Sequence, residues 1–274
     1  MKKQLTLLFF ISTFFLNVVY AQTIDTIEVF SAKMNKNIKN VVVLPAGYDK
    51  ASNTKYPVVY LLHGYGGNYG TFVNKTKKSL PQDVTQWNVI AVCPDGENSW
   101  YWDSPVNPKS QFDTYVSSEL VSYIDQHYNT IAEPKGRAIT GFSMGGHGSL
   151  WLAINHPDVF GACGSMSGGV DICPFPDGWE MKTLLGSYKE NVELWRSYTV
   201  IENIDKIEPG ALSIIVDCGK DDFFYPVNEK LHEDLLYKNI PHDYISRPGK
   251  HTHEYWNNAL DYQLIFFSKF FNKK

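Results

Sequence analysis

The stretch Ala138-Ile139-Thr140-Gly141-Phe142-Ser143-Met144-Gly145-Gly146 constrains this chain more than any other. It reads as the end of a buried strand, then Gly-x-Ser-x-Gly, then a helix from Met144 to Asn155 that Pro157 brings to a stop. A turn that lifts a serine Oγ clear of a sheet is so tight that residues two before and two after have no room for a Cβ, hence Gly141 and Gly145. A helix beginning at Met144 also aims free backbone N–H groups at negative charge forming beside Ser143. At average glycine and serine usage about 0.1 such matches arise by chance in a chain of this length.

The flanks say where the chain goes and what it avoids. Met1-Lys2-Lys3, an apolar run from Leu5 to Val19, and Val19-Tyr20-Ala21 have the three parts of a secretory signal peptide, with cleavage expected after Ala21. The run is too short to favour a membrane span, and no Cys follows the cleavage site to take a lipid anchor. The mature chain, residues 22–274, is therefore expected in the periplasm or outside the cell as one domain, with no linker or repeat inside it. Removing Lys2 and Lys3 takes the formal charge of −4 to −6, and with no basic cluster nucleic acid is not expected as a partner. None of the four cysteines is spaced as a zinc ligand set. Cys93, Cys163 and Cys218 sit in or beside apolar strand-like runs and read as buried free thiols; Cys173 has no evident partner.

Strand and helix patterns alternate along the rest. Strands are expected at Thr26–Phe30, Asn40–Leu44, Tyr56–Leu62, Asn88–Cys93, Phe160–Met166, Leu212–Gly219 and Asp243–Ser246. Helices are expected at Phe112–Tyr128, Val227–Lys238 and Ala259–Phe271. His127 falls on or near the apolar face of the first helix, as a half-buried structural residue. Such alternation makes a mostly parallel sheet covered on both faces. Val170–Glu208 is irregular, with Pro174, Pro176, Gly178 and Gly186, and its position suits a small cap.

Three further stretches fall just past strand ends, where such sheets bind ligands. His63-Gly64-Tyr65-Gly66-Gly67 lets the backbone fold in so that the Tyr65 N–H joins that of Met144 as an oxyanion donor. Trp100-Tyr101-Trp102 puts three aromatics on a loop, which is read as a cleft wall for at least one of them, with capping of the core the alternative for one or two. An acid at Asp221 or Asp222 and a histidine at His251 or His253 complete the chain order Ser…Asp…His. His63, His253 and Trp256 are placed at the same cleft. These roles imply ester hydrolysis through an acyl-enzyme, which requires no metal or organic cofactor.

With these residues assembled, the chain resembles the esterase D-like family of α/β-hydrolases. That family takes in S-formylglutathione hydrolases, feruloyl and acetylxylan esterases of carbohydrate esterase family one, siderophore esterases and mycolyltransferases. The likeness rests on His63–Gly67, Ser99-Trp100-Tyr101-Trp102-Asp103, Glu119–Tyr128, Gly141–Gly146, Cys218-Gly219-Lys220-Asp221-Asp222, and Gly249-Lys250-His251 with Trp256. It implies an α/β-hydrolase fold and the triad Ser143, Asp222 and His251. Many relatives carry Gly-Gly-His followed by Asp-Trp, whereas here Lys250 replaces the second Gly and Thr252-His253 follow, so the resemblance speaks for the chemistry more than for the substrate. Export argues against S-formylglutathione, a cytosolic thioester. The expected substrate is a small-molecule or oligosaccharide ester, feruloyl or acetyl on plant-type carbohydrate. A generalist short-chain esterase, a siderophore esterase or an acyltransferase is the alternative.

Overall fold

The structure is a computed structural model that describes residues 22–273; the segment read as an export signal lies outside the described residues. The strands are β1 (Thr23–Ser31), β2 (Lys36–Leu44), β3 (Val58–Leu62), β4 (Ile90–Pro94), β5 (Arg137–Gly141), β6 (Ala162–Met166), β7 (Ser213–Gly219) and β8 (Asp243–Arg247). They form one sheet in the order β1-β2-β4-β3-β5-β6-β7-β8. β2 runs antiparallel to both β1 and β4, and every other pairing is parallel. The apolar runs take the centre: every residue of β3, β4, β5 and β6 is buried, as strands covered on both faces must be. β1, at the edge, alternates toward solvent instead.

Side-chain alternation splits the core in two. Val58, Tyr60 and Leu62 of β3 enter the larger cluster, which the helical stretch from Phe112 to His127 covers together with α2 (Met144–Asn155) and α3 (Tyr225–Tyr237). Val59 and Leu61 enter the other, under α1 (Leu80–Trp87) and α4 (His253–Phe271). The elbow helix α2 is buried on nearly all sides, which accounts for its mixture of Gly, Ala, Leu and Trp in place of a polar face.

Several elements depart from the sequence reading. α4 starts at His253 and not at Ala259, because Thr252 caps it by accepting from the Tyr255 N–H at 3.3 Å. His253 and Trp256 therefore stand on the first turns of a helix. α1 and the π-helical turn Phe72–Thr76 lie in a stretch given no helix above, although Leu80, Val84 and Trp87 of α1 fall at helical spacing. His127 is exposed, where half-burial was expected, with its ring stacked 3.8 Å from that of Tyr123 and its Nδ1 on the Tyr123 carbonyl at 2.8 Å. The segment between β6 and β7 carries only short helices, Lys182–Leu185 and Val192–Ser197, and buries Met181, Leu184, Leu185 and Trp195 in the core. All four cysteines are free: Cys93, Cys163 and Cys218 buried, Cys173 half-buried.

Candidate active site

The loops leaving the C-terminal ends of β3, β5, β7 and β8 meet at one cleft of about 460 Å³ with Ser143 among its lining residues. Ser143 follows β5 with φ 57° and ψ −119°, a backbone that a non-glycine residue adopts only when its surroundings force it. The forcing is visible on either side. A Cβ at Gly145 would stand 2.0 Å from the Leu62 carbonyl oxygen, and one at Gly141 2.4 Å from the same atom. Only glycine lets β3 and the elbow approach this closely.

A hydrogen-bonded relay runs away from the serine. His251, between β8 and α4, has Nε2 2.9 Å from Ser143 Oγ and Nδ1 2.8 Å from Asp222 Oδ2. Asp222 is buried just past β7, and its Oδ1 accepts from the Phe224 N–H at 2.9 Å, so both of its oxygens are engaged. Asp221, by contrast, is exposed. The two loops are knitted together, with Lys220 N–H on the Arg247 carbonyl and Asp221 N–H on that of Gly249, both at 2.9 Å. His251 is walled by Phe223 at 4.3 Å and Trp256 at 4.8 Å between ring centroids.

Behind this loop lies a second, buried group of charges. Tyr255 donates to Asp217 Oδ1, and the Arg247 guanidinium sits 3.0 Å from Asp217 Oδ2, close enough for attraction but not aligned as a hydrogen bond. Burial pushes the Asp217 carboxyl up to about 6, against the Tyr255 hydrogen bond and the Arg247 charge.

Met144 follows Ser143 in the chain and Tyr65 lines the same cleft, and the N–H of neither has a backbone or side-chain acceptor among the described residues. The Tyr65 loop is held from three sides. Gly67 N–H closes it onto the Gly64 carbonyl at 3.0 Å, Gly66 N–H donates to Asn98 at 2.9 Å, and the Tyr65 hydroxyl donates to Glu180 of the cap at 2.9 Å.

Two groups of residues assigned to the cleft are elsewhere. His63 is buried beneath the loop: Gly96 N–H donates to its Nε2 at 2.8 Å, which leaves Nδ1 to carry the proton onto the Gly64 carbonyl at 2.8 Å. It holds the loop and cannot reach a substrate. Trp100, Tyr101 and Trp102 are 1%, 0% and 0% exposed and form core, not cleft wall. Trp100 and Tyr101 both have positive φ, 55° and 61°, which turns the loop inward. Trp102 Nε1 donates to His147 Nε2 at 2.8 Å, and His147 Nδ1 reaches the Gly169 carbonyl at 3.0 Å. Burial drives the His147 imidazole down to about 3, so it is a neutral hydrogen-bonding spacer under the elbow helix.

The cleft walls come instead from Trp179, Phe223, Trp256 and Phe142, with Thr71, Lys75 and His253 at one side. Trp256 stacks on Phe142 at 4.3 Å, and His253 accepts or donates to the Thr76 hydroxyl through Nδ1 at 2.8 Å. Trp179 and Phe223 stack at 5.9 Å. The sequence signal for this pair is thin: Phe223 adjoins Asp222, and Trp179 lies in the irregular cap. Among the described residues no three His, Cys, Asp or Glu side chains gather as a metal site.

A strained serine before a buried helix, a histidine bridging it to an aspartate, and this strand order together define an α/β-hydrolase. Residues 31–267 match the family described as "Putative esterase", and the chain belongs to that esterase family. It is similar to an acetyl esterase of Caldicellulosiruptor saccharolyticus, 25% identical over 268 residues, covering 89% of this chain and 97% of that protein. An esterase of Mycobacterium tuberculosis is 28% identical over 238 residues, 77% of this chain but 52% of the relative, so the chain spans about half the length of that protein. Among solved structures, a ferulic acid esterase superposes with a TM-score of 0.79 at 26% identity, covering 92% of this chain and 100% of the other.

Proposed function

We propose that this chain is an exported serine carboxylesterase, and the observation that carries the reading is the relay from Ser143 Oγ through His251 to Asp222 on the floor of an open cleft. Ser143 Oγ attacks the ester carbonyl as His251 Nε2 takes its proton. Asp222 keeps the other proton on Nδ1 and stabilises the imidazolium. The N–H groups of Met144 and Tyr65, which have no acceptor of their own among the described residues, receive the oxyanion. His251 then returns its proton to the departing alcohol, and a water, deprotonated by the same nitrogen, releases the acid from Ser143.

The substrate we propose is a feruloyl or acetyl ester on plant-type carbohydrate. Support for a flat or ring-shaped group moves from Trp100–Trp102 to Trp179, Phe223 and Trp256, whose faces bury ring surface with little ordering cost. The similarity to an acetyl esterase and to a ferulic acid esterase supports the same classes. A fluorophosphonate probe is expected to label Ser143, and Ser143→Ala to lower kcat by about 10⁴-fold or more. Ester hydrolysis at near wild-type rate by Ser143→Ala would sink the mechanism. Methyl ferulate and acetylated xylan fragments, set against p-nitrophenyl acetate, test the substrate: turnover of the simple ester alone leaves a generalist short-chain esterase.

A further inference from the structure

The cleft over Ser143 has an uneven charge. Lys75 is the one lining residue with a fixed charge, and no carboxylate lines the space, in a chain whose formal net charge is −4. Its neighbour makes the contrast. Lys77 is buried and satisfied by Asp83 at 3.7 Å and by Asp261. Lys75 is exposed on the cleft side and has no ion-pair partner among the described residues. The turn bearing it is fixed in place by the buried Phe72 and Thr76.

The other titratable groups facing this corner do not balance it. His253 is held below the ordinary histidine value by burial, then by the charges of Lys75 and His251, so Lys75 is the fixed positive charge at this corner. Glu180 is bonded to the Tyr65 hydroxyl and does not line the cleft. An unpaired ammonium lining a cleft with no carboxylate raises the local concentration of anions there.

We propose that the cleft prefers esters that carry a carboxylate near the scissile bond, seated against Lys75. The proposal rests on the ester-hydrolase reading and names a substrate class for the same site. The carboxylate can belong to the alcohol side, as on a uronic acid residue, or to the acyl side, as in a dicarboxylic half-ester.

Matched carboxylate and amide esters separate the two sources. The alcohol-side pair is 4-acetoxybenzoate against 4-acetoxybenzamide, and the acyl-side pair is monoethyl succinate against ethyl succinamate. For the preferred side, Lys75→Met is expected to lower kcat/KM of the anionic ester about 5-fold and Lys75→Glu about 20-fold or more. The neutral ester serves as the reference in each protein, so the change is read in the anionic-to-neutral ratio, and 0.5 M salt should erode the wild-type preference. Because Lys75 is exposed, both variants are expected to melt as the wild type does. An anionic-to-neutral ratio that is the same in all three proteins for both pairs overturns the proposal, while p-nitrophenyl acetate is still turned over. No turnover of that simple ester by the wild type overturns the ester-hydrolase reading, and this proposal with it.

Discussion

Two places in this molecule use the same backbone device for opposite ends. Trp100 and Tyr101 have consecutive positive φ angles, and so do Trp179 and Glu180, at 45° and 54°. In the first pair the turn drives both rings into the core, where Trp100 stacks on Trp102 at 5.5 Å and His147 accepts from Trp102. In the second it holds Trp179 half-exposed at the cleft while Glu180 reaches the Tyr65 hydroxyl. The two meet: Trp100 packs edge-on against Trp179 at 5.9 Å. The inner aromatics form the backing of a wall whose outer face is the cap, and a row of aromatics on a loop need not face solvent when another segment covers it.

The largest effect that separates the regions is expected from truncation. Trp102→Ala should destabilise by about 3–5 kcal/mol, seen as a lowered midpoint in denaturant, with kcat per folded molecule close to wild type. Trp179→Ala should cost under about 1 kcal/mol and instead raise KM for aromatic esters several-fold. Equal destabilisation by the two would erase the distinction between backing and wall.

Glycine substitutions probe the same contrast more gently. A Cβ at Gly148 would stand 2.4 Å from the buried Tyr101 ring, so Gly148→Ala is expected to cost about 1–3 kcal/mol by overpacking. At Gly178, before Trp179, the nearest atom is the Phe175 carbonyl oxygen at 3.3 Å, and Gly178→Ala should fall within about 0.5 kcal/mol of wild type. Chemical denaturation of both variants measures the difference.

Titration distinguishes the regions by sign. His147 belongs to the inner cluster, and its folded pKa of about 3 lies below the ordinary 6.5. Below pH 6.5 the unfolded chain binds a proton the folded chain refuses, so this contribution is present above 6.5 and is lost as pH falls toward 3, by up to about 1.4 kcal/mol per pH unit. Asp217, behind the His251 loop, is raised from 3.8 to about 6, so the folded chain holds the extra proton and stability declines as pH rises between those values. The two slopes oppose each other from pH 4 to 6. His147→Asn should leave the Asp217 slope exposed, with stability falling as pH rises through that window; an unchanged profile would show that His147 does not titrate in this way.

The smallest effect is expected at the tie between cap and oxyanion loop. Tyr65→Phe removes only the exposed hydrogen bond to Glu180, so the melting temperature should change by no more than a degree or two. A KM rise of about 2- to 3-fold for bulky esters, without a change for p-nitrophenyl acetate, would identify the tie as a constraint on the outer wall.

Much of this architecture is legible in the sequence because it is set by local rules. The elbow's glycines, the extent of α2 and the apolar runs of the central strands are each fixed by residues within a few positions. Chain order points to Ser143, an acid at Asp221 or Asp222 and a histidine at His251 or His253, and the family resemblance selects Asp222 and His251. What escapes is set by remote residues. The loop at Trp100–Trp102 is buried by Gly148, which leaves space for Tyr101, and by a cap that begins some 70 positions later. Residue pattern alone leaves Asp221 and Asp222 open; the resemblance selects Asp222, and the turn after β7 buries Asp222 and leaves Asp221 exposed. His63 looked like a substrate contact because its motif lies at the cleft, yet its ring serves as an internal brace.

The four unpaired thiols bear on what holds such a chain together. Cys93, Cys163, Cys173 and Cys218 are all free, and the first two and the last are sealed in the interior. The interior thiols are pushed well above their ordinary pKa by burial, so little thiolate is present to react. The fold is thus held by packing and hydrogen bonds with no cross-link among the described residues, and an oxidant finds only Cys173, half-buried, near the surface.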